Sequence, residues 1–169
     1  METTMSRRSG NPTRLTLVSD RTIVIEHTFD APRALVFKAY TDRDSIPRWW
    51  GPRRLTTTVD QMDVRPGGAW RFVSRGADGA EFAFRGVYRE IVPPERLVWT
   101  FEFEGAPGHV SLETVTFEEQ GGKTKVTNTA LYQTAGDRDA MLKSGMEGGV
   151  KETMERLDEL LETMKAAGR

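Results

Sequence analysis

Residues 97–104 have the sequence LVWTFEFE, in which aromatic and polar side chains alternate. In an extended chain Trp99, Phe101 and Phe103 share one face, and Thr100 and Glu102 lie on the other. This period of two residues predicts an antiparallel strand with one buried face and one face in water. The segment therefore predicts an aromatic-faced sheet at the centre of the fold.

Further β-prone segments flank this strand on both sides. They are separated by the turn sequences RPGG (65–68), GADG (76–79) and VPPE (92–95), and the pair GG (121–122) marks a hairpin. Roughly six strands follow one another between positions 55 and 132 without an intervening helical pattern. Such a run predicts an antiparallel meander rather than parallel βαβ units.

Helical patterns lie before and after the meander. The sequence DAPRALVFKAY (30–40) predicts a short helix after the first strand, and residues 42–48 predict a second. From position 150 to position 164 apolar residues recur at intervals of three and four, which predicts one long amphipathic helix. Ser144 and Glu147 have the spacing of a capping box at its start. The long helix must bury its apolar face, and the aromatic face of the sheet is the large partner available. A sheet that curves around this helix leaves space for an apolar cavity.

Composition limits the class of protein. The chain has 169 residues, a net charge of −1 and no cysteine, so we expect one domain without disulfides or thiolate metal sites. Residues 1–14 are polar and predict a flexible arm before a single domain over residues 15–169. We find neither a membrane-spanning run nor the apolar stretch of a signal peptide, and we expect a cytoplasmic protein.

The segment IPRWWGP (46–52) places two adjacent tryptophans in a turn. One indole can close the core under the long helix while the other lines the entrance of the cavity. Alternatively, both indoles only pack in the core at the end of the sheet. Arg48, Arg53 and Arg54 surround them, but a short patch on a chain with negative net charge does not predict nucleic-acid binding.

Few polar side chains have the pattern of a catalytic or metal site. His27 lies on the apolar face of the first strand, where it can hold a ligand atom or be a buried histidine satisfied by a neighbour. Glu102 and Glu113 alternate with apolar residues, so we expect both to face water. The sequence contains two histidines and no cysteine, and it predicts no metal, no cofactor and no acid–base pair.

Five motifs together resemble the START-like (SRPBCC) superfamily. They are FDAPRALVFKAYTD, RWWGP, MDVRPGGAWRFV, FRGVYREIVPPERLVWT and SGMEGGVKETMERLDELL. Within the superfamily they most resemble the branch named after the C-terminal domain of the activator of the heat-shock-chaperone ATPase (AHSA-type). The resemblance implies an α+β helix-grip fold, with six or seven antiparallel strands, two short helices and a long C-terminal helix around a hydrophobic cavity. Two positions depart from the family pattern, because Val150 stands where tryptophan is frequent and His27 stands where arginine is frequent.

The leading functional hypothesis is non-catalytic binding of a small hydrophobic or amphipathic ligand in that cavity. The predicted cavity residues are His27, Trp49, Trp50, Trp70, Phe72, Phe84, Tyr88, Trp99, Phe101, Met146 and Val150. Two alternatives stay open, a protein-interaction domain with a chaperone partner and an enzyme similar to polyketide cyclases or aromatases. A homodimer is compatible with each of them.

Overall fold

One antiparallel sheet forms the frame of the protein. The computed structural model describes residues 2–4 and 12–168. The strands of this part of the chain are β1 (Glu2–Thr4), β2 (Thr13–Ser19), β3 (Thr22–Phe29), β4 (Thr56–Met62), β5 (Ala69–Arg75), β6 (Glu81–Val92), β7 (Arg96–Phe103), β8 (Val110–Gln120) and β9 (Lys123–Leu131). Their order across the sheet is β1-β2-β3-β9-β8-β7-β6-β5-β4, so β1 and β4 are the edges and the sheet does not close.

The α+β helix-grip prediction is confirmed, but the sheet has more strands than the six or seven expected. Eight strands have seven residues or more, and the three-residue β1 adds a ninth. The additional long strand arises because residues 13–29 form a hairpin of β2 and β3 instead of one strand. Of the predicted arm over residues 1–14, positions 1 and 5–11 lie outside the described residues, while β1 and the start of β2 occupy described ones.

The sheet curves, and irregular pairing accompanies the curvature. The register shifts within the β2–β3, β4–β5 and β6–β7 pairs. Extra residues of this kind bend a strand and increase its twist. The aromatic residues of β5, β6 and β7 therefore lie on the concave face of the sheet. A helix can pack across this face without filling all the space between helix and sheet.

Four helices occupy the described part of the chain. They are α1 (Arg33–Thr41), α2 (Ile46–Trp49), α3 (Ala135–Lys143) and α4 (Met146–Ala167). We did not predict α3, and its presence makes the predicted capping box wrong. Ser144 ends α3, where its hydroxyl donates to the carbonyl of Met141, and Gly145 takes a left-handed conformation with φ 85° before α4 begins.

None of the helices in the described part combines the length and hydrophobicity that a membrane crossing requires.

The two halves of α4 have different environments. In its C-terminal half Leu157, Leu160 and Leu161 are buried in the main core together with Phe29 and Phe117. Its N-terminal half carries Gly148 and Gly149, where an added Cβ atom would meet no atom within 4 Å. The C-terminal half therefore closes the main core. In the N-terminal half Met146 and Val150 pack against a smaller cluster that includes Leu15 and Ile23, beside a cavity that the helix does not fill.

Candidate functional site: an apolar cavity under the long helix

A cavity of about 340 Å³ lies between the concave face of the sheet and the N-terminal half of α4. Residues of α1 and α2, the segment after α2 and a single residue of α3, Met141, complete its wall. Most of the wall is aliphatic or aromatic. Its polar members include Ser74, Glu113, Asn128, Thr153 and the three tyrosines Tyr40, Tyr88 and Tyr132.

All the residues that we predicted around a cavity line this one. They come from β3, the Trp-Trp turn, β5, β6, β7 and α4, and they are His27, Trp49, Trp50, Trp70, Phe72, Phe84, Tyr88, Trp99, Phe101, Met146 and Val150. Alternation identified the strand residues among them. The family resemblance placed the two tryptophans of the turn and Val150 at the cavity. Their common location is a matter of geometry, and whether they bind a ligand remains a prediction.

His27 lines the cavity, but both of its ring nitrogens already have partners. Nδ1 lies 2.8 Å from the hydroxyl of Thr13, and Nε2 lies 3.1 Å from each carboxylate oxygen of Asp158 on α4. Burial raises the pKa of the Asp158 carboxyl, and the hydrogen bond and charge of His27 act in the opposite direction. His27 therefore has the role of a buried, satisfied histidine that ties β3 to α4.

The two adjacent tryptophans have different surroundings. Trp49 is 4% exposed, and its indole N–H donates to the carbonyl of Ala39 at 3.0 Å. Trp50 is half-buried and packs its ring edge-to-face against Phe72 and Phe84, with centroid distances of 5.3 and 5.0 Å. Trp49 closes the core next to α1, and Trp50 borders the cavity.

Arg156 of α4 holds the turn that contains these tryptophans. Its guanidinium donates to the carbonyl oxygens of Gly51 at 2.8 Å and Arg48 at 3.2 Å, with longer contacts to Pro47 and Trp50. Arg53 pairs its guanidinium with both carboxylate oxygens of Glu159, at 3.1 and 2.6 Å. Two arginines thus attach the cavity rim to α4.

Glu113 of β8 is the most unexpected residue of the wall. We predicted that it faces water, and this prediction is wrong, because its side chain lines the cavity. Asn128 of β9 donates its amide N–H to the Glu113 carboxylate at 3.0 Å. Burial raises the pKa of the Glu113 carboxyl, and hydrogen bonds from Asn128 and Trp99 offset only part of this effect. Glu102 does lie on the outer face, where Arg85 pairs with it at 3.1 Å.

Three tyrosines add hydroxyl groups to the same wall. Burial raises the pKa of Tyr40, Tyr88 and Tyr132. The neighbouring Glu113 carboxylate adds to this effect at Tyr40 and Tyr132. These phenols therefore keep their protons and can donate or accept hydrogen bonds. Of the three, only Tyr88 was predicted at the cavity, because Tyr40 lies in a helix and Tyr132 follows the last strand.

Comparison with known proteins identifies the family. Residues 30–162 match the family described as activator of Hsp90 ATPase homolog 1-like protein, which is well over half of the chain. The chain belongs to this family. The resemblance that we inferred from the five motifs is thereby confirmed. A comparison with curated proteins found no match.

Solved structures of other proteins share the fold. A crystal structure of a protein from Mycobacterium smegmatis is 27% identical, with a TM-score of 0.77 over 87% of this chain and 96% of that one. A solution structure of a protein from Arthrobacter aurescens is 26% identical, with a TM-score of 0.79 over 88% and 93%. A Rhodobacter sphaeroides protein reaches a TM-score of 0.84 at 24% identity, covering 89% and 98%. This last likeness concerns the fold alone.

Proposed function

We propose that this protein binds a small, largely apolar molecule in the cavity between the sheet and α4. The observation that carries the proposal is the cavity itself, with about 340 Å³ enclosed mainly by apolar and aromatic side chains. Sites for small molecules in proteins have this form, with volumes of about 300–1,000 Å³ and a few polar groups among apolar walls.

The arrangement of α4 supports the same conclusion. Protein interiors are normally packed as densely as organic crystals, and large voids are few. Here the helix presents Gly149 and Val150 to the cavity, and a Cβ atom at Gly149 would meet nothing within 4 Å. Small residues at this place keep the space open, although larger apolar side chains would fill it and add burial energy.

The test begins with the protein purified from the cells that produce it. Native mass spectrometry, followed by denaturing extraction, detects a bound passenger and gives its mass. All four tryptophans line the cavity, so quenching of intrinsic fluorescence provides a second readout with added apolar probes. We expect a stoichiometric small passenger or saturable quenching by uncharged aromatic probes.

A matched pair of variants locates the binding. Phe84→Arg puts a charge into the cavity wall, where Phe84 packs against Trp50 and Phe101. Phe82→Arg makes the same change two positions away on β6, at a residue outside the cavity wall. We expect binding to be lost in Phe84→Arg and kept in Phe82→Arg, with circular dichroism showing both folded. Equal binding by both variants, or no binding by the parent protein, would contradict the proposal.

A further inference from the structure

The polarity of the sheet is inverted where β8 and β9 pass the cavity. On β8 the inward positions are Ser111, Glu113, Val115 and Phe117, while Leu112 points outward and is 39% exposed. On β9 Asn128 faces the cavity, and Leu131 is 42% exposed on the outer face. Leu112 and Leu131 pair directly across the strands. The chain thus exposes leucines on the outer face and turns a half-buried carboxyl and a half-buried amide toward the cavity, which opposes stability and points to a functional requirement.

The buried carboxyl keeps room for another hydrogen bond. A carboxylate has about four acceptor positions. In the described part of the chain Asn128 donates to one Glu113 oxygen at 3.0 Å, and the Trp99 side chain, on the opposite residue of β7, interacts with the same carboxyl. The partners are uncharged, so the carboxyl is oriented but not neutralised.

The amide of Asn128 is itself incompletely satisfied. Its Oδ1 atom is buried and has no hydrogen-bond partner among the described residues. Its amide nitrogen is committed to Glu113. An unpaired buried oxygen opposes folding, so Asn128 is retained at a cost in stability while its amide nitrogen orients the Glu113 carboxyl toward the cavity.

The charges around the cavity select against anions. Among the described residues of the wall there is no lysine or arginine, and His27 is committed to Asp158 and Thr13. A ligand carboxylate at this end would lie beside Glu113 without a cation to compensate either charge. Two carboxylates in one apolar site strongly disfavour the ionised state of one of them.

We propose that the Glu113–Asn128 pair is the recognition site for the polar end of the ligand, and that it selects an apolar molecule with an uncharged hydrogen-bond donor such as a hydroxyl group. This inference rests on the proposed function, because it concerns the orientation of a molecule within the same cavity. The ligand donates to the Glu113 carboxyl, and its apolar body lies against Trp50, Phe84 and Phe101. Tyr40 and Tyr132 lie near the same carboxyl and supply further hydroxyl groups.

Three probes with the same ring system test the selection at neutral pH. Naphthol carries a hydroxyl donor, methoxynaphthalene carries an acceptor only, and naphthoate carries a carboxylate. We expect isothermal titration calorimetry to show naphthol bound about tenfold more tightly than methoxynaphthalene, the size expected for one hydrogen bond to a charged group. Naphthoate should bind most weakly of the three.

Glu113→Gln changes the charge with little change in shape. We expect this variant to bind naphthoate about tenfold more tightly than the parent does, because repulsion is removed and an amide donor is introduced. Glu118→Gln is the matched control, since it makes the same change on β8 at an exposed position. It should leave all three affinities unchanged. Circular dichroism confirms that both variants are folded.

The outcomes separate this inference from the proposed function. If all three probes bind the parent protein equally, the cavity binds apolar molecules but Glu113 does not select the polar end. If naphthoate binds most tightly, the selection is opposite to the one inferred. If none of the probes binds, both the selection and the proposed function are contradicted for molecules of this size. The ranking in the parent protein decides the matter even if Glu113→Gln does not fold.

Discussion

Among the described residues, the carboxyls of Asp158 and Glu113 both lie on the inner side of the sheet and helix, and their surroundings differ. Asp158 faces the imidazole of His27, with 3.1 Å between Nε2 and each of its oxygens. The groups that Glu113 faces in the described part of the chain are uncharged, among them Asn128 and Trp99. Burial raises the pKa of both carboxyls. The Asp158–His27 pair is a structural link between helix and sheet, whereas the hydrogen bonds of Glu113 to Asn128 and Trp99 stay within the sheet and bring it no opposite charge.

Replacement of Glu113 by glutamine should therefore stabilise the fold at neutral pH. A carboxyl whose pKa is higher in the folded than in the unfolded state favours folding below the unfolded pKa, and this contribution is lost as pH rises through the folded pKa. We expect Glu113→Gln to exceed the parent in unfolding free energy by roughly 1 kcal/mol at pH about 7, with the difference vanishing below pH about 4.

Urea unfolding at several pH values measures this difference. Glu118→Gln controls for the loss of one negative charge, since Glu118 is exposed on the same strand. Tyr40 and Tyr132 also face Glu113, but with raised pKa values they stay protonated throughout this range. A variant less stable than the parent at neutral pH would show that the carboxylate is a net stabilising group.

At the scale of elements, the Trp-Trp turn depends on α4 for its position. The turn follows α2, only four residues long, and its carbonyl groups converge on the guanidinium of Arg156. The planar guanidinium has five N–H donors and can bind several carbonyl oxygens at once, which a lysine ammonium does less well. Arg156 therefore sets the distance between the long helix and the cavity rim.

We expect Arg156→Met to destabilise the protein by about 1–3 kcal/mol, because several carbonyls lose a charged donor. Arg156→Lys should recover part of this loss.

Arg53→Met is the matched control at the same junction. Arg53 and Glu159 are 41% and 52% exposed, and such exposed pairs contribute about 0–1 kcal/mol. Urea unfolding monitored by tryptophan fluorescence compares the variants. Equal losses of unfolding free energy in Arg156→Met and Arg53→Met would contradict a special role of Arg156 in holding the turn.

At the scale of the whole molecule, the cavity lies where the curved sheet and one half of the long helix do not fill the space between them. The C-terminal half of α4 contacts the core through Leu157, Leu160 and Leu161, and the N-terminal half carries small residues over the concave face. In the family that this chain resembles, tryptophan is frequent at the position of Val150. The size of the residue at this position should set how much of the cavity remains.

Val150→Trp should therefore block the cavity while the fold persists. We expect the affinity for naphthol to fall at least about tenfold, since the larger side chain occupies the space in which the probe lies. Glu147→Trp adds the same side chain one turn earlier on α4, at an exposed residue outside the wall, and should bind normally. Calorimetry measures both, and undiminished binding by Val150→Trp would place the ligand elsewhere.

Local patterns in the sequence were sufficient for the meander, the short helices, the long helix and the aromatic wall of the cavity. Alternation in LVWTFEFE and the spacing of three and four residues in α4 depend only on the geometry of strand and helix. Each pattern shows which side chains share a face. They could not show the separate β2–β3 hairpin or α3, whose signals are short and weakly periodic.

Tertiary structure decided which polar groups reach the cavity. On β8 both faces carry apolar residues, so alternation could not tell whether Leu112 or Glu113 points inward. The pairing of β8 with β7 on one side and with β9 on the other decided it. His27 and Asp158 are 131 positions apart, and only the packing of α4 on β3 brings them together. The sequence by itself determined the apolar wall, because the wall follows from periodicity. The position of each polar group within it depended on contacts between distant parts of the chain.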